Sequence, residues 1–220
     1  MGYLKGRGVL ELPAEPTDVG PRKLPSFFLA SASPRRKLLL EQAGIPFQVL
    51  PVEGVEQEPL PGIAPETLVL SNASAKARAA GRLVWEGVVL GADTVVVLDG
   101  RILGKPAAAD EAAGFLRSLS NRVHQVYTGL ALLELPTGRL TSGHEVSGVK
   151  FRNLTEAEIE AYIATGEGAD KAGGYGIQGR GALLVASVQG CYFNVVGLPL
   201  ARLWRMLSGL GWDLRRTWGV

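Results

Sequence analysis

The sequence predicts an α/β fold built on a mixed β-sheet, and three observations support this prediction. Short apolar segments alternate with helical segments in the first half of the chain, which is typical of parallel strands joined by helices. Two long apolar segments then follow each other across the turn Pro136-Thr137-Gly138, which indicates an antiparallel hairpin. The chain has 220 residues and 46% hydrophobic content, enough for one large domain or two lobes that share a core.

The strands follow from apolar and β-branched runs, and the helices from the capping residues that precede them. The predicted strands are 27–30, 47–50, 88–98, 101–103, 123–135 and 140–151. The predicted helices are 34–43, 65–82, 110–119, one that follows a Thr155–Glu158 capping box and ends at Gly166, and a last helix from Pro199. A final hairpin is predicted from 182–188 and 192–196, around the turn Gln189-Gly190.

The composition argues against several functional classes. The formal net charge is +2, from 23 Lys and Arg against 21 Asp and Glu, so a general nucleic-acid or membrane-binding surface is not expected. Cys191 is the only cysteine, which excludes an internal disulfide or a cysteine-rich metal site and fits a reducing compartment such as the cytoplasm. No run of about 18 apolar residues occurs, so no membrane span is predicted. Residues 1–26 lack an apolar signal core, and we interpret them as an N-terminal extension of a domain at 27–220.

A glycine-rich segment at 170–179 is the most informative local feature. It contains four glycines together with Asp170, Lys171 and Gln178. Glycine allows backbone conformations and close contacts that a Cβ forbids, so the segment is suited to present N–H groups to a small ligand. Successive N–H groups form a concavity that binds anions, and a phosphate-bearing ligand is the natural candidate. An ordinary long turn with glycines for flexibility is the alternative.

A second candidate for anion binding is Ser31-Ala32-Ser33-Pro34-Arg35-Arg36, between a predicted strand and a predicted helix. Ser33 is the predicted N-cap, and Pro34 is the predicted first helical residue. Free N–H groups and the macrodipole favour an anion at a helix N-terminus, and the planar arginine side chain suits phosphate oxygens. The alternative is a capped helix start with solvated Arg35 and Arg36.

One carboxylate interrupts an apolar strand. Asp93 lies between the runs Val88-Val89-Leu90 and Val95-Val96-Val97, so its backbone belongs to the core. A buried carboxylate is costly unless it is paired, hydrogen-bonded or bound to a metal. Such groups are frequent at functional sites, although structural ion pairs produce the same pattern. Thr94 is expected on the opposite side of the strand if the chain is extended there.

Other polar residues carry weaker signals. Lys76, in a predicted helix, and Lys105, after a predicted hairpin, are ordinary solvated lysines unless the fold gathers both around one cleft. His124 and His144 lack the spacing of metal ligands, and we interpret them as strand or loop histidines without chemistry. The sequence contains no Walker-type loop, no GxSxG elbow and no HExxH motif.

Six collinear segments together resemble the Maf-type nucleoside triphosphate pyrophosphatases. They are Leu29-Ala30-Ser31-Ala32-Ser33-Pro34-Arg35-Arg36, Lys76-Ala77, Leu90-Gly91-Ala92-Asp93-Thr94-Val95, Gly104-Lys105-Pro106, the run 170–179, and Val195-Val196-Gly197-Leu198-Pro199-Leu200. The resemblance covers about residues 27–210 and implies an α/β fold with a mixed sheet and a deep cleft between two lobes. It implies hydrolysis of a nucleoside triphosphate to the monophosphate and pyrophosphate with a divalent metal, usually Mg²⁺. It also leaves a homodimer open as the assembly.

The resemblance implies roles for the candidate residues. Asp93 matches the family's proton acceptor, which activates the attacking water or helps hold the metal, and Lys76 and Lys105 join it as catalytic candidates. Cations and N–H donors around a triphosphate stabilise the charge that develops during its cleavage. The substrate-binding candidates are Ser33, Arg35, Arg36, Thr94, Lys171 and Gln178.

The choice of base follows from three positions. Arg35, Thr94 and Gln178 stand where the subgroup that resembles dTTP/UTP pyrophosphatases carries Arg, Thr and Gln. The amide of Gln178 can donate and accept, which matches a pyrimidine edge with both oxygen and N–H groups. We therefore expect dTTP and UTP as substrates. The alternatives are a pyrophosphatase for a modified purine nucleotide such as 7-methyl-GTP, and a nucleotide-binding regulator of cell division with little turnover.

Two departures from the family pattern are visible. Many relatives carry Glu-Glu where this chain has Glu56-Gln57, and the second glutamate of that pair helps bind metal. A glutamine lacks the charge that a hard cation prefers, so we expect Glu56 to take the metal role together with Asp93. The alternative is a solvated loop, with Asp93 and substrate phosphates holding the metal. The second departure is Glu167-Gly168 in place of Glu-Pro, which could loosen the glycine-rich segment.

Overall fold

The centre of the molecule is a seven-stranded sheet, seen in a computed structural model that describes residues 24–57, 59–60 and 62–218. The strands are β1 (Phe27–Leu29), β2 (Gln48–Val49), β3 (Gly87–Leu98), β4 (Arg101–Leu103), β5 (Val123–Leu135), β6 (Arg139–Phe151) and β7 (Val185–Gln189). The α-helices are α1 (Pro34–Gln42), α2 (Pro65–Gly81), α3 (Ala109–Leu119), α4 (Glu156–Ala164), α5 (Tyr192–Val196) and α6 (Leu200–Gly209). The predicted α/β fold with a mixed sheet is confirmed.

The strand order leaves a gap beside β3. The order is β2-β1-β3-β5-β6-β7, with β1 parallel to β2 and β3, and with β5, β6 and β7 antiparallel to their neighbours. On one edge of β3, β1 pairs with residues 88–90 and β4 pairs with residues 96–98. Within the described residues, 91–95 therefore have no strand partner on that edge. A ligand can reach the middle of β3 through this gap.

Helix α2 lies directly on the backbone of the sheet because two glycines allow it. A Cβ on Gly91 of β3 would lie 2.0 Å from the carbonyl oxygen of Ala73, and a Cβ on Gly129 of β5 would lie 2.4 Å from that of Val69. A side chain at either position would push the helix away from a closely packed contact. The close approach brings side chains of α2 within reach of those in the middle of β3.

The apolar core covers both faces of the sheet. Even-numbered residues of β3, such as Leu90 and Val96, pack in a large cluster with residues of α1, α3, α4 and α6, and we call this side the α1 face. Odd-numbered residues, such as Val89, pack against α2, and we call this side the α2 face. Leu24 is buried in the large cluster. Residues 1–23 of the predicted extension lie outside the described residues, and its boundary stays a prediction.

The first strand of the predicted hairpin, at 182–188, is confirmed from Val185 onward and is wrong at residues 182–184. Gly179–Leu184 forms a 3-10 turn, and the strand is limited to Val185–Gln189. The reason is a tertiary contact, because the carboxylate of Glu167 accepts hydrogen bonds of 2.9 Å from the N–H groups of both Arg180 and Gly181. These bonds hold the start of a turn that continues through residues 182–184, where the apolar sequence predicts an extended chain.

The second half of that hairpin is a helix, α5. Asn194 is fully buried, and its amide donates to the carbonyl of Val126 on β5 and to the hydroxyl of Ser147 on β6, at 2.9 Å each. Strand propensity depends on context, so Val195 and Val196 do not force an extended chain against these contacts. Sequence periodicity over five residues carries no sign of this arrangement.

Several local predictions are confirmed. Thr155 and Glu158 form a capping box at the start of α4. The strands predicted at 88–98 and 101–103 are joined by a tight turn at Asp99 and Gly100, whose φ angles are 50° and 78°. Ser33 precedes α1 as predicted, but its side chain makes no capping hydrogen bond. In the part of the chain that the structure describes, no helix has the length and apolar character needed to cross a membrane.

Candidate active site

The gap beside β3 opens into a cleft of about 640 Å³. Its walls come from the segment after β1, the loop that contains Glu56, helix α2, strand β3 and the glycine-rich segment. The cleft brings together the catalytic, substrate-binding and metal candidates predicted from the sequence. They are Ser33, Arg35, Arg36, Glu56, Lys76, Asp93, Thr94, Lys105, Lys171 and Gln178.

On the α2 face, two carboxylates flank one ammonium group. Nζ of Lys76 lies 2.8 Å from Oδ1 of Asp93 and 2.5 Å from Oε1 of Glu56. It also donates to the carbonyl of Ala92 at 3.1 Å. Nζ of Lys105 lies 4.0 Å from the other carboxylate oxygen of Glu56. Asp93 and Lys76 are buried, whereas Glu56 and Lys105 are exposed, so the group is anchored in the core and open to the cleft.

Asn72 is a site residue that the sequence analysis missed. Its Nδ2 group donates to Oδ2 of Asp93 at 3.0 Å, so both oxygens of that carboxylate are held, one by Asn72 and the other by Lys76. Its Oδ1 accepts from the N–H of Gln57 at 2.8 Å and thereby ties the Glu56 loop to α2. A signal was available, because an asparagine four residues before Lys76 lies on the same side of a helix.

Glu56 and Gln57 point in different directions. The side-chain oxygen of Gln57 accepts from the hydroxyl of Ser71 at 3.4 Å, on the exposed side of α2. Glu56 is the member of the pair whose side chain reaches Lys76. Glu53 also lines the cleft, whereas Glu58 lies outside the described residues.

Burial and neighbouring charges shift the pKa values of Glu56 and Arg36. Burial alone would raise the pKa of Glu56, but the hydrogen bond and charge of Lys76, with the charges of Lys105 and Arg36, outweigh it, so this pKa lies below its ordinary value. Glu56 is therefore negatively charged at neutral pH. Burial lowers the pKa of Arg36, and the nearby charge of Asp93 opposes that shift.

On the α1 face, a buried guanidinium meets a hydroxyl. Arg36 donates through Nε to the carbonyl of Gly197 at 2.8 Å, through Nη1 to Oγ of Ser31 at 3.1 Å, and through Nη2 to Oγ1 of Thr94 at 3.0 Å. Thr94 thus lies on the opposite face from Asp93, as predicted. Arg36 lines the cleft, but three of its N–H groups are directed to protein acceptors.

The glycine-rich segment is hydrogen-bonded to the residue that follows β4, and Lys171 contacts polar groups close to it in the chain. The N–H of Gly173, which has a φ of 71°, donates to the carbonyl of Gly104 at 2.9 Å. Nζ of Lys171 contacts the carboxylate of Asp170 at 2.6 Å and the carbonyl of Glu167. Nη1 of Arg35 lies 3.9 Å from the same Asp170 carboxylate, which links this segment to the start of α1.

The departure at Gly168 leaves the glycine-rich segment closely packed. A Cβ on Gly168 would lie 2.0 Å from the carbonyl oxygen of Gly174. The hydroxyl of Tyr162 donates to the Glu167 carboxylate at 3.3 Å and accepts from the N–H of Gly176 at 3.1 Å. The segment is therefore packed against Gly168 and hydrogen-bonded to Tyr162.

His124 has a structural partner in the same segment. Its Nε2 atom lies 2.7 Å from the hydroxyl of Tyr175, which lines the cleft. Burial lowers the pKa of His124 to about 4, so the imidazole is neutral at physiological pH. The contact joins β5 to the glycine-rich segment, and it is a feature for which the sequence offered no signal.

These features define an α/β protein whose sheet opens into a cleft that is lined by arginine, lysine and carboxylate side chains and is suited to a small polyanionic ligand. The chain belongs to the Maf-like protein family, whose model matches residues 26–210. The resemblance noted in the sequence is therefore confirmed.

The chain is similar to proteins named dTTP/UTP pyrophosphatase. It is 47% identical over 186 residues to one from Pelotomaculum thermopropionicum, covering 84% of this chain and 97% of the relative. It is 50% identical over 191 residues to one from Moorella thermoacetica, covering 87% of this chain and 96% of the relative. A solved structure of a nucleoside-triphosphatase / dITP/XTP pyrophosphatase from Mycobacterium abscessus aligns with a TM-score of 0.41 at 16% identity, covering 84% of this chain and 97% of that one.

Proposed function

We propose that this protein hydrolyses dTTP and UTP to the nucleoside monophosphate and pyrophosphate. The relatives named dTTP/UTP pyrophosphatase support the proposal, since two of them share 47% and 50% identity with most of the chain. The observation that carries it is the Lys76 ammonium between the carboxylates of Asp93 and Glu56, in a cleft lined by further cations. Such a site combines a proton acceptor with groups that bind phosphate.

Asp93 is the proposed proton acceptor. Lys76 and Asn72 each hold one of its oxygens, which orients the carboxylate and leaves lone pairs for the proton of an attacking water. The water oxygen bonds to the α-phosphorus, its proton passes to Asp93, and the bond from that phosphorus to the bridging oxygen breaks. Lys105 would stabilise the charge on the departing pyrophosphate.

The donor set fits Mg²⁺. This ion is typically held by one or two carboxylates together with substrate phosphates, and Glu56 and Asp93 offer two carboxylates on either side of Lys76. Among residues 24–57, 59–60 and 62–218, no group of three or more His, Cys, Asp or Glu could hold a metal ion. Phosphate oxygens would therefore complete the shell. The bound ion would neutralise phosphate charge.

The substrate is proposed to be a free nucleotide whose base is read by Gln178, Thr94 and Arg35, each of which lines the cleft. Ser33, Arg36 and Lys171 complete the proposed substrate-binding set. An amide and a hydroxyl can together match the oxygen and N–H groups of a uracil or thymine edge. Location in the cytoplasm and assembly as a homodimer stay predictions.

The decisive experiment incubates the protein with Mg²⁺ and a panel of triphosphates: dTTP, UTP, CTP, dATP and 7-methyl-GTP. We expect pyrophosphate and monophosphate as the first products, with dTTP and UTP used fastest. A diphosphate and inorganic phosphate as first products would contradict cleavage at the α-phosphorus. Tight binding of nucleotide without product would favour the alternative of a regulator, and preference for 7-methyl-GTP would favour the modified-purine alternative. Asp93→Asn is the inactive control.

A further inference from the structure

A chain of hydroxyl groups runs from the cleft into the protein on the α1 face of β3. Oγ1 of Thr94 lies 2.9 Å from Oγ1 of Thr128 on β5, and the Thr128 hydroxyl donates to the backbone carbonyl of Asn194 at 2.9 Å. Nη2 of Arg36 donates to Oγ1 of Thr94 at 3.0 Å. Thr94 lines the cleft, whereas Thr128 is fully buried behind it.

One assignment of protons satisfies all three contacts. A carbonyl oxygen can only accept, so the Thr128 proton points to Asn194. A guanidinium can only donate, so Arg36 occupies one lone pair of Thr94. The proton of Thr94 then goes to Thr128. In this arrangement Thr94 has one lone pair left for a ligand and no proton to donate.

The part of the cleft next to Thr94 is suited to a base. Val96 lies two residues farther along β3 on the same face, and Val126 pairs with it across β5. Tyr175 and Val196 add further apolar surface to the cleft. Ligand pockets typically combine apolar walls with a few polar groups that fix orientation. The triphosphate, by contrast, is attracted to the lysines on the α2 face.

We propose that Thr128, which lies behind the cleft, makes the protein prefer uracil and thymine over cytosine. It does so by accepting the hydrogen bond that the Thr94 hydroxyl donates. The inference rests on the proposed function. The N3–H group of uracil or thymine is a donor and pairs with the free lone pair of Thr94. The N3 atom of cytosine is an acceptor, and two acceptors that face each other stay unpaired. Thr128 is a positioning residue, because it acts through Thr94.

The test compares kcat/KM for UTP and CTP in Thr128→Val and Thr128→Ser. Valine keeps the shape of threonine but offers no acceptor, so the Thr94 hydroxyl is free to turn and donate to cytosine. We expect the UTP to CTP ratio to fall about tenfold or more in Thr128→Val, the scale of one buried hydrogen bond. Serine keeps the hydroxyl and is expected to retain the wild-type ratio. An unchanged ratio in folded, active Thr128→Val overturns the inference.

Ser147→Ala is the matched control. The Ser147 hydroxyl accepts from Nδ2 of the same Asn194 at 2.9 Å, is buried, and does not line the cleft. Its removal loosens Asn194 without touching Thr94, so the UTP to CTP ratio is expected to stay that of the wild type. A fall as large as in Thr128→Val would mean that repacking around Asn194 explains the effect, which overturns the inference.

A second measurement needs no variant. In 3-deaza-UTP a C–H group replaces N3–H and the 4-oxygen becomes a hydroxyl, and we expect the wild-type protein to use it about tenfold or more less efficiently than UTP. Equal use of both nucleotides overturns the inference while the proposed function stands. A wild-type protein that releases no pyrophosphate from UTP or dTTP contradicts the proposed function, and the inference with it.

Discussion

The two faces of β3 supply the same cleft with different polar groups, a carboxylate held by a lysine on the α2 face and hydroxyls held by an arginine on the α1 face. On the α2 face, Asp93 is held by the ammonium of Lys76 and the amide of Asn72. On the α1 face, Thr94 is held by Arg36 and by the neutral hydroxyl of Thr128. Successive side chains of a strand point to opposite faces, so neighbours in sequence occupy different environments. The gap in the sheet lets one ligand reach both faces.

The comparison teaches how differently the two faces are stabilised. A buried carboxylate is costly without partners. The partners of Asp93 on the α2 face are side chains of α2, so they depend on the close approach of α2 that Gly91 and Gly129 allow. The α1 face buries the guanidinium of Arg36, which donates to Thr94, and its other hydrogen bonds join the neutral hydroxyls of Thr94 and Thr128 to the carbonyl of Asn194. Changes on the first face should affect the chemistry, and changes on the second should affect the choice of substrate.

The largest expected effect on activity is that of Asp93→Asn, on the α2 face. The amide keeps the shape but cannot take a proton, so turnover should fall by a factor of about 10² or more. Pyrophosphate release at saturating dTTP measures this loss, and thermal unfolding checks that the protein stays folded. Near-normal turnover in the folded variant would make Asp93 a structural ion-pair partner.

Gly91→Ala should disrupt the close packing of α2 on the α2 face of β3. The new methyl group would meet the Ala73 carbonyl at 2.0 Å, and overpacking of this kind costs about 1–3 kcal/mol of unfolding free energy. Denaturant titration measures that loss. Gly114→Ala is the matched control, since Gly114 is exposed in helix α3 with open space around it, and alanine there should be neutral or stabilise by up to about 1 kcal/mol. Equal stability of both variants would show that α2 tolerates displacement.

Gln178→Glu should weaken base recognition and leave the chemistry intact. A carboxylate cannot donate to a carbonyl of the base, so transition-state binding of dTTP and UTP should lose about 1–3 kcal/mol. The values of kcat/KM for each nucleotide of the panel, compared with those of the wild type, measure this loss. Selectivity equal to that of the wild type would exclude Gln178 from base recognition.

Glu56→Gln should shift the metal dependence. We expect the Mg²⁺ concentration for half-maximal activity to rise about tenfold, the scale found when groups around a metal site are removed. Glu53→Gln is the matched control, because Glu53 lines the same cleft but makes no ion pair with Lys76 in the described residues. Identical metal curves for both variants and the wild type would leave Asp93 as the only protein carboxylate on the metal.

The same glutamate gives a pH dependence of defined sign. Because the pKa of Glu56 is lowered in the folded protein, its contact with Lys76 is complete at neutral pH and is lost as the pH falls through that lowered pKa. The wild-type metal affinity should therefore weaken on the acid side. A Glu56→Gln variant should lack that part of the pH profile.

Much of the site could be predicted because its residues stand in short segments with strong chemical signals. Asp93 interrupts an apolar strand, and Arg35 follows a Ser-Pro helix start; both line the cleft. Asn72 was missed because a single asparagine in an alanine-rich helix carries no functional signal in the sequence. Its contact with Asp93 arises only when α2 packs on the sheet. Helix α5 was missed because Asn194 is held by β5 and β6, which are distant in sequence.

The sequence by itself determined the α/β class and the long hairpin of β5 and β6, because periodicity and capping are local signals. It marked Asp93 as a polar interruption of an apolar strand, and the resemblance to the Maf family indicated the other residues around the cleft. Only the tertiary structure decided that β1 and β4 leave a gap beside β3, that Lys76 joins Asp93 to Glu56, and that Thr128 stands behind Thr94. These relations depend on strand register and on the approach of α2. Both are set by packing between segments far apart in the chain, which no local pattern encodes.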